Sequence, residues 1–393
     1  MANREDVEFK TVDGLTLRGC IYPAAERGPA IILTPGFNFT KEMIVAEIAE
    51  YFQQAGFTAL AYDPRSIGQS DGSPRNDIHP SRNVEDYHDA LTFLKRHPLV
   101  DPSKIVFWGY SFSGMVALVA AALDKRARAV VALCPLTIWE FPEDKWARVL
   151  DRAMRDRESQ VAGNKPVYIP MLTEDGENPA GFGAGFGVDN FNLIAGAKEM
   201  QPNFELPTTL SSYYHIAAFQ PYGLIPRVSP TPAMIVIPEN DRVSPAEKQR
   251  SLIYDVLKEP KNLLLVPGKG HMDVLSAPFR MLPLLHVARI ANPAAAYYGL
   301  DVRASLEHCT LTYPVTGIAL AGALAWLDTT TYPPMTRTMP DAAPAAAMLI
   351  MMGIACHGSQ GNVGPSFISV EDGFPGSDGV LFLECRRKRT DSS

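Results

Sequence analysis

The chain has 393 residues, 46% of them hydrophobic and 20% charged, and a formal net charge of -7 at pH 7. This balance excludes an intrinsically disordered protein, because a chain of this length and apolar content can bury a large core. The negative charge, with no basic cluster before the CRRKRT stretch near the C-terminus, also excludes a nucleic-acid-binding protein, since binding phosphates needs a concentrated cationic face.

The elements predicted for the N-terminal third are strands and helices in alternation. Apolar and polar residues alternate on both sides of Asp13-Gly14, which predicts a β-hairpin closed by a tight primed turn. Buried strands are predicted at residues 30–33, 58–62, 104–109 and 127–133, with helices between them at residues 41–55, 84–97 and 113–123. This order predicts an α/β fold with a mostly parallel, doubly wound sheet.

The alternation stops after Cys134-Pro135. Residues 137–228 are rich in aromatic residues, Gly and Pro, and show no alternation of strand and helix, so we interpret them as an inserted cap. The pattern then resumes with strands at 233–238 and 262–267, a helix at 245–257 between them, and a closing helix at 271–290. We therefore predict a core domain formed by residues 1–136 and 229–290, interrupted by a cap or lid at 137–228.

Residues 291–393 show little sustained periodicity, and runs such as EDGFPGSDG are typical of irregular chain. We predict a C-terminal extension of doubtful order, with an artefact of an incorrect gene model as the alternative. An intact mass of the natively expressed protein that matches all 393 residues would contradict the gene-model alternative.

The stretch GYSFSG at residues 109–114 joins a predicted strand to a predicted helix. A sharp turn at this place can present a serine in a strained conformation, and the residues two before and two after that serine must be small. Ser111 has Gly109 and Ser113 at these positions, whereas Ser113 would have Met115 after it. We therefore predict Ser111 as the nucleophile, with Ser113 as the small residue of the turn and a cap of the next helix.

A serine hydroxyl needs a base to take its proton and an acid to orient that base. Asp241 follows the predicted strand 233–238, and His271 follows the strand 262–267, so both lie at the carboxyl ends of core strands, where open α/β sheets carry their sites. Glu239 is the alternative acid. Among the other histidines, only His215 in the cap is placed to touch a substrate.

The oxyanion formed during acyl transfer needs N–H donors that are already in position. The residue after the nucleophile, Phe112, is predicted to supply one backbone N–H. The second is expected from the TPGFNF loop after strand 30–33, where Gly36 permits a tight turn and Phe37 is best placed to donate.

Five motifs in order, TPGFNFTKE, AYDPRSIGQSDG, GYSFSG, PENDRVSP and GKGHMDVL, resemble those of the α/β-hydrolase superfamily, and most closely those of the fungal polyketide transferase group from toxin and secondary-metabolite gene clusters. The resemblance covers residues from about 5 to 285. It implies an α/β-hydrolase fold and a Ser111, Asp241, His271 triad that acts on an apolar, polyketide-like acyl thioester or ester.

The function expected from these residues is serine-dependent acyl transfer or hydrolysis. A general carboxylesterase or thioesterase and a catalytically silent binding protein of the hydrolase fold are the alternatives. Trp139, Tyr214 and His215 are candidate substrate contacts in the cap. The chemistry requires no cofactor and no metal, and the expected partner is a small acyl substrate, delivered by a polyketide synthase or by coenzyme A.

The expected location is the cytoplasm, because the N-terminus lacks a signal pattern, the apolar runs are shorter than a membrane-spanning helix, and five cysteines without a CxxC pair favour reduced thiols. Relatives in the polyketide transferase group make a peroxisomal location the alternative, but the chain ends in TDSS, without an SKL-type signal. The sequence leaves the oligomeric state open.

Overall fold

The computed structural model describes residues 4–139, 143–179 and 187–275. The strands in these ranges are β1 Glu5–Lys10, β2 Thr16–Tyr22, β3 Gly28–Thr34, β4 Thr58–Tyr62, β5 Val100–Tyr110, β6 Ala129–Leu133, β7 Tyr168–Pro170, β8 Pro207–Thr209, β9 Ala233–Pro238 and β10 Lys261–Val266. The α-helices are α1 Val45–Gln54, α2 Pro80–Leu94, α3 Phe112–Leu123, α4 Glu143–Val161, α5 Val188–Met200, α6 Leu210–Ala218 and α7 Ala246–Gln249.

Eight of these strands form one sheet in the order β1-β2-β4-β3-β5-β6-β9-β10. The hairpin β1-β2 and the pair β2-β4 are antiparallel, and all pairs from β4 to β10 are parallel. The mostly parallel, doubly wound sheet predicted from the sequence is therefore confirmed. Its carboxyl edge brings together the loops that follow β3, β5, β9 and β10.

Both faces of the sheet are buried along its central strands, because successive residues of a strand point to opposite faces and both sets are apolar there. Ile32 and Phe107 pack in one hydrophobic cluster with α2 and α3, whereas their neighbours Ile31 and Trp108 pack in another with α1. The continuous apolar runs in the sequence are the direct consequence of this two-sided burial.

The loop between β1 and β2 differs from its prediction. It spans five residues, Thr11 to Leu15, and is closed by the Gly14 N–H donating to the Thr11 carbonyl at 3.0 Å. A two-residue primed turn of type I′ needs a positive φ at both central residues, but Asp13 is not in that region and only Gly14 is, at 89°. The prediction of a tight primed turn at Asp13-Gly14 was wrong.

The region between β6 and β9 contains more regular structure than its sequence suggested. It includes α4, α5, α6, a 3₁₀ turn at Pro221–Arg227 and a separate two-stranded sheet of β7 and β8. The predicted division into core and cap is not tested by these elements and stays a prediction, as does the extension at 291–393, which lies outside the described residues.

The last described elements refine two further predictions. The helix expected at 245–257 forms as α7, followed directly by a π-helix at Arg250–Tyr254. The closing helix expected at 271–290 lies mostly outside the described residues, which end in a 3₁₀ turn at Asp273–Leu275. Within the described ranges, none of the helices combines the length and the apolar character needed to span a bilayer.

Candidate active site

The turn between β5 and α3 places Ser111 in a strained conformation at the carboxyl edge of the sheet. Its φ of 58° and ψ of -118° are sterically unfavourable for a residue with a side chain. Backbone hydrogen bonds hold it there: its N–H donates to the Leu133 carbonyl at 2.8 Å, and its carbonyl accepts from Gly114 and Leu136. The neighbouring strand β6 and the loop after it thus fix the serine from both sides.

Gly109 and Ser113, the small residues on either side of Ser111, are required for different physical reasons. A Cβ atom on Gly109 would lie 2.0 Å from the Ser113 carbonyl oxygen, so only glycine fits. Ser113 lies within the first turn of α3, and its hydroxyl donates to the Pro35 carbonyl. The predicted helix-capping role of Ser113 was wrong, because its hydroxyl ties the turn to the loop after β3 instead.

His271 connects Ser111 to Asp241 through two hydrogen bonds. The distance from His271 Nε2 to Ser111 Oγ is 2.8 Å, and the distance from His271 Nδ1 to Asp241 Oδ2 is also 2.8 Å. All three side chains are buried. A chain of this order can pass a proton from the serine hydroxyl to the imidazole while the carboxylate fixes the imidazole tautomer.

The loop after β9 holds the Asp241 carboxylate from several directions. Its Oδ1 accepts the backbone N–H groups of Val243 at 2.9 Å and Ser244 at 2.8 Å, and its Oδ2 accepts the Gln249 amide at 3.0 Å. The alternative acid Glu239 is exposed, and its carboxylate accepts the Gly268 N–H at 2.8 Å. The structure therefore brings Asp241, and not Glu239, to the imidazole.

Tyr110 fixes the backbone at His271. The tyrosine is fully buried at the end of β5, and its hydroxyl donates to the His271 carbonyl at 2.8 Å. Burial raises the pKa of Tyr110 well above its ordinary value, so the hydroxyl remains a donor. The residue next to the strained serine thus also positions the histidine, which the sequence pattern did not indicate.

The loop after β3 approaches the serine closely. A Cβ atom on Gly36 would lie 3.5 Å from the Ser111 Cβ and 3.3 Å from the Tyr110 ring, so a larger residue would crowd this contact. The ring of the next residue, Phe37, packs edge-on against Phe112, with ring centroids 5.6 Å apart. Phe112 is the first residue of α3, where a backbone N–H has no acceptor within the helix. The two predicted oxyanion donors are therefore neighbours beside Ser111.

A buried ion pair anchors this loop. Lys41 and Asp63 are almost completely buried; Asp63 accepts the Lys41 backbone N–H at 2.7 Å and the Lys41 ammonium at 2.9 Å. Asp63 also accepts the Gln69 N–H, and a Cβ atom on Gly68 would lie 2.4 Å from Oδ2 of the same carboxylate. The motif AYDPRSIGQSDG thus organises the loops near the site.

We expect Asp63→Ala to lower the free energy of unfolding by about 3 kcal/mol, because it leaves the Lys41 ammonium buried without its main partner. Urea denaturation measures this loss. The matched control is Glu8→Ala, which removes an exposed ion pair with Arg18 and should cost about 1 kcal/mol or less. Equal losses in the two variants would contradict a special role for the buried pair.

A small cavity of about 30 Å³ lies above Ser111 and is mostly apolar. Its lining consists of Gly36, Phe37, Phe39, Tyr110, Ser111, Leu136, Ile138, Met171, Asn178, Val243, His271 and Met272. Four of these residues were predicted from the sequence to belong to the site: Gly36, Phe37, Ser111 and His271. Met171 and Asn178, which come from the region between β6 and β9, could not be identified because no periodic pattern places them.

The three candidate substrate contacts do not line this cavity. Trp139 is completely buried, donates its indole N–H to the Leu136 carbonyl at 2.8 Å and packs on Phe112. His215 stacks on His79, and the Tyr214 ring lies against His215. The structure gives these side chains packing contacts, and their contact with a substrate stays a prediction.

The stacked pair of His79 and His215 joins the loop before α2 to α6. Their ring centroids are 4.0 Å apart, and His215 Nε2 lies 3.6 Å from Asp77 Oδ2. Burial and the neighbouring His215 lower the pKa of His79 to about 4. The unfolded chain therefore binds a proton on this histidine near pH 6.5, whereas the folded protein binds it only near pH 4.

We expect the stability contributed by neutral His79 to be complete above about pH 6.5 and to be lost as the pH falls towards 4. His79→Phe keeps an aromatic ring without the titrating group. Its free energy of unfolding should fall less than that of the wild type between pH 7 and pH 5, as measured by urea denaturation at each pH. The same pH dependence in both proteins would show that another group is responsible.

Cys134 lies behind the candidate triad at the end of β6. Its side chain is completely buried, and burial raises the pKa of the thiol well above its ordinary value. One ligand atom each from Cys134, Asp241 and His271 lies within 4.8 Å of the others. The Asp241 carboxylate and the His271 imidazole already form a hydrogen bond with each other. The expectation that the chemistry needs no metal stays a prediction.

Comparisons with known proteins show which proteins this chain resembles in sequence. Residues 31–283 match the model of a family described as "Alpha/beta hydrolase family". The chain is 52% identical over 295 residues to a "Thiohydrolase" of Eupenicillium brefeldianum, which covers 75% of this chain and 96% of that protein. It is 50% identical over 275 residues to "Polyketide transferase af380" of Aspergillus fumigatus, which covers 70% of this chain and 92% of that protein.

Solved structures are also similar to this chain. The structure of DcsB in complex with its substrate analogue is similar with a TM-score of 0.70 and 39% identity, covering 74% of this chain and 99% of that one. The crystal structure of the alpha/beta hydrolase GrgF from Penicillium sp. sh18 is similar with a TM-score of 0.66 and 40% identity, again over 74% of this chain and 99% of the other.

Proposed function

This chain belongs to the alpha/beta hydrolase family, and from that premise we propose that it is a serine-dependent enzyme that transfers or hydrolyses an apolar acyl group through an acyl-Ser111 intermediate. The observation that carries the proposal is the hydrogen-bonded chain of Ser111, His271 and Asp241 at a strained turn. The serine hydroxyl thus has a base within hydrogen-bonding distance, and that base has a carboxylate partner.

In the first half-reaction, Ser111 Oγ attacks the acyl carbonyl carbon while His271 Nε2 takes the hydroxyl proton. The imidazolium then gives this proton to the leaving thiolate or alkoxide as the bond from the acyl carbon to sulfur or oxygen breaks. In the second half-reaction, His271 takes a proton from the acyl acceptor, which attacks the ester, and returns it to Ser111 Oγ. Asp241 accepts the His271 Nδ1–H and stabilises the imidazolium in both half-reactions.

The oxyanion of each tetrahedral intermediate is assigned to the backbone N–H groups of Phe37 and Phe112. This assignment is supported by the position of Phe112 at the start of α3 and by the close approach of Gly36 to Ser111. Removing one such donor typically costs about 10²-fold to 10³-fold in turnover, so the loop after β3 is expected to contribute to the rate, although less than the nucleophile does.

The substrate class follows from the lining of the cavity and from the relatives. Apart from Ser111, His271 and Asn178, the side chains that line the cavity are aliphatic, aromatic or thioether groups, which suit an apolar acyl chain. Relatives named "Thiohydrolase" and "Polyketide transferase" support a polyketide-like acyl thioester as the donor, carried by a polyketide synthase or coenzyme A.

The cavity is too small for such a chain as it stands. A site for a small organic ligand occupies about 300 to 1,000 Å³, whereas the space above Ser111 is about 30 Å³. We infer that part of the lining moves to admit such a substrate. Met171 and Asn178 are the lining residues that come from the region between β7 and β8, outside the eight-stranded sheet. Entry of substrate would then be linked to a movement of this region.

The acceptor decides between hydrolysis and transfer. We propose to incubate the protein with an acyl thioester alone and with a series of small alcohols and amines, and to quantify free acid and acyl-acceptor product by mass spectrometry. A product ester or amide that increases with acceptor concentration, at the expense of free acid, supports transfer. Free acid at the same rate with every acceptor refutes transfer and leaves the thioester hydrolase, the second candidate that the 52% identical relative supports.

A further inference from the structure

Gln249 contacts the Asp241 carboxylate from a completely buried position at the end of α7. Its amide nitrogen donates to Asp241 Oδ2 at 3.0 Å and to the Ser244 carbonyl. The Asp241 Oδ2 atom is also the one that accepts the His271 Nδ1–H. One glutamine side chain thus bridges the loop that carries the acid and bonds the oxygen that faces the imidazole.

The same amide leaves its own oxygen unsatisfied. Gln249 Oε1 is buried and has no hydrogen-bond partner among the described residues. An unpaired buried carbonyl destabilises a protein, so it needs a compensating reason. Rotating the amide by 180° would turn this oxygen towards the Asp241 carboxylate and the Ser244 carbonyl, which are both acceptors. The two acceptors therefore fix the orientation of the amide, and the amide oxygen is left without a hydrogen-bond partner among the described residues.

The backbone around Gln249 is also unusual. The α-helix ends at this residue and continues directly as a π-helix over Arg250–Tyr254, a local widening that is frequent at functional sites. The change of helix type therefore begins directly after the residue whose side chain donates to Asp241.

We propose that Gln249 is a positioning residue of the triad: it holds Asp241 with Oδ2 aimed at His271 Nδ1 and withdraws part of the negative charge from that oxygen. This inference rests on the proposed function, since it assigns the role of Gln249 in the same acyl transfer. Gln249 does not line the cavity above Ser111, so in this proposal it acts only through the carboxylate.

The electrostatic effect has a definite sign. Among the described residues, the side chains of Cys134 and Tyr110 interact electrostatically with Asp241 and remain neutral because burial raises their pKa values; Asp273 interacts with the same two groups. Without the Gln249 N–H, more negative charge stays on Oδ2, which stabilises the His271 imidazolium. The acid limb of kcat/KM, which reports neutral histidine, then moves to higher pH.

The test compares Gln249→Met, which keeps the side-chain volume without the donor, and Gln249→Glu, which offers no donor when ionised. Both should lower kcat about tenfold or more, as expected for a lost hydrogen bond to a charged group, with KM changed little. The acid limb of kcat/KM on an activated ester should move to higher pH, further in Gln249→Glu than in Gln249→Met.

The matched control is Ile253→Val, which removes a buried methyl group from the adjoining π-helix and leaves the amide intact. It should destabilise the protein while keeping the wild-type pH profile. A wild-type profile and kcat in both Gln249 variants would overturn the proposal.

A second readout does not depend on activity. The low-field proton resonance of the His271–Asp241 hydrogen bond should shift or broaden in Gln249→Met, and the NMR titration of His271 should move to higher pH. If the wild type and Ser111→Ala prove equally active, the proposed function fails, yet the resonance still tests Gln249. If Ser111→Ala is inactive and the resonance and titration are unchanged in Gln249→Met, only the positioning role fails.

Discussion

We expect Ser111→Ala to lower turnover of an activated ester by about 10⁶-fold, the loss that follows removal of the nucleophile from a Ser-His-Asp enzyme. The reason is that no other described hydroxyl occupies the place of Ser111 Oγ, which lies 2.8 Å from His271 Nε2. Activity that remains near the wild-type level would refute the enzyme mechanism and favour the alternative of a catalytically silent binding protein.

Ser113→Ala is the matched control for this variant. It removes a hydroxyl only two residues away, whose hydrogen bond goes to the Pro35 carbonyl and not to the imidazole. We expect it to retain most of the turnover and to lose about 1 kcal/mol of stability, typical for one hydrogen bond. A loss of turnover in Ser113→Ala as large as in Ser111→Ala would contradict the assignment of Ser111.

Covalent labelling gives the same assignment without a substrate. A fluorophosphonate reacts with a serine only when that serine is activated by a base, so peptide mapping of the labelled wild type should locate the label on Ser111. Ser113→Ala should be labelled and Ser111→Ala should not. A label on Ser113 would show that the turn has a different centre.

The parts of the fold that the sequence predicted are those governed by local periodicity. Strands such as 58–62 and the helix after Ser111 carry uninterrupted apolar patterns, because they are buried on all sides in the structure. The strained serine was also predictable, since the requirement for Gly109 and a small residue at 113 is a steric property of consecutive residues. These features depend on residues that are close together in the sequence, so the sequence alone predicts them.

The order of Ser111, Asp241 and His271 was predictable for a different reason. Each follows a strand, and parallel strands bring their carboxyl ends to one edge, so three loops far apart in sequence converge. The sequence therefore predicts that the three residues lie at the same edge of the sheet, but it does not predict the hydrogen bonds between them. The triad is therefore a consequence of topology combined with residue chemistry.

The features that sequence reasoning missed depend on contacts between distant residues of irregular spacing. The bonds from Ser113 to Pro35 and from Gln249 to Asp241 leave no periodic signal. The helix α4 did leave one, because Trp146, Val149 and Ala153 recur at intervals of three and four, and Ala153 is buried. The aromatic richness of the surrounding region obscured that pattern.

The second large effect is expected for Asp241→Asn, which should lower turnover about 10⁴-fold, as the equivalent change does in serine proteases. The structure gives a specific reason. The Val243 and Ser244 N–H groups donate to Oδ1, so the asparagine must keep its oxygen there and place its NH₂ where Oδ2 was. This NH₂ then faces His271 Nδ1 and donates to it.

An imidazole that accepts at Nδ1 carries its proton on Nε2, and Nε2 can then no longer take the proton of Ser111. The same NH₂ also meets the Gln249 donor, so the variant has two opposed donors in a buried place. Glu239→Gln is the matched control, because Glu239 is exposed and its carboxylate accepts the Gly268 N–H, away from His271. Its turnover should stay within a few-fold of the wild type in the same ester assay. If Glu239→Gln proves as inactive as Asp241→Asn, the acid of the triad has been assigned to the wrong residue.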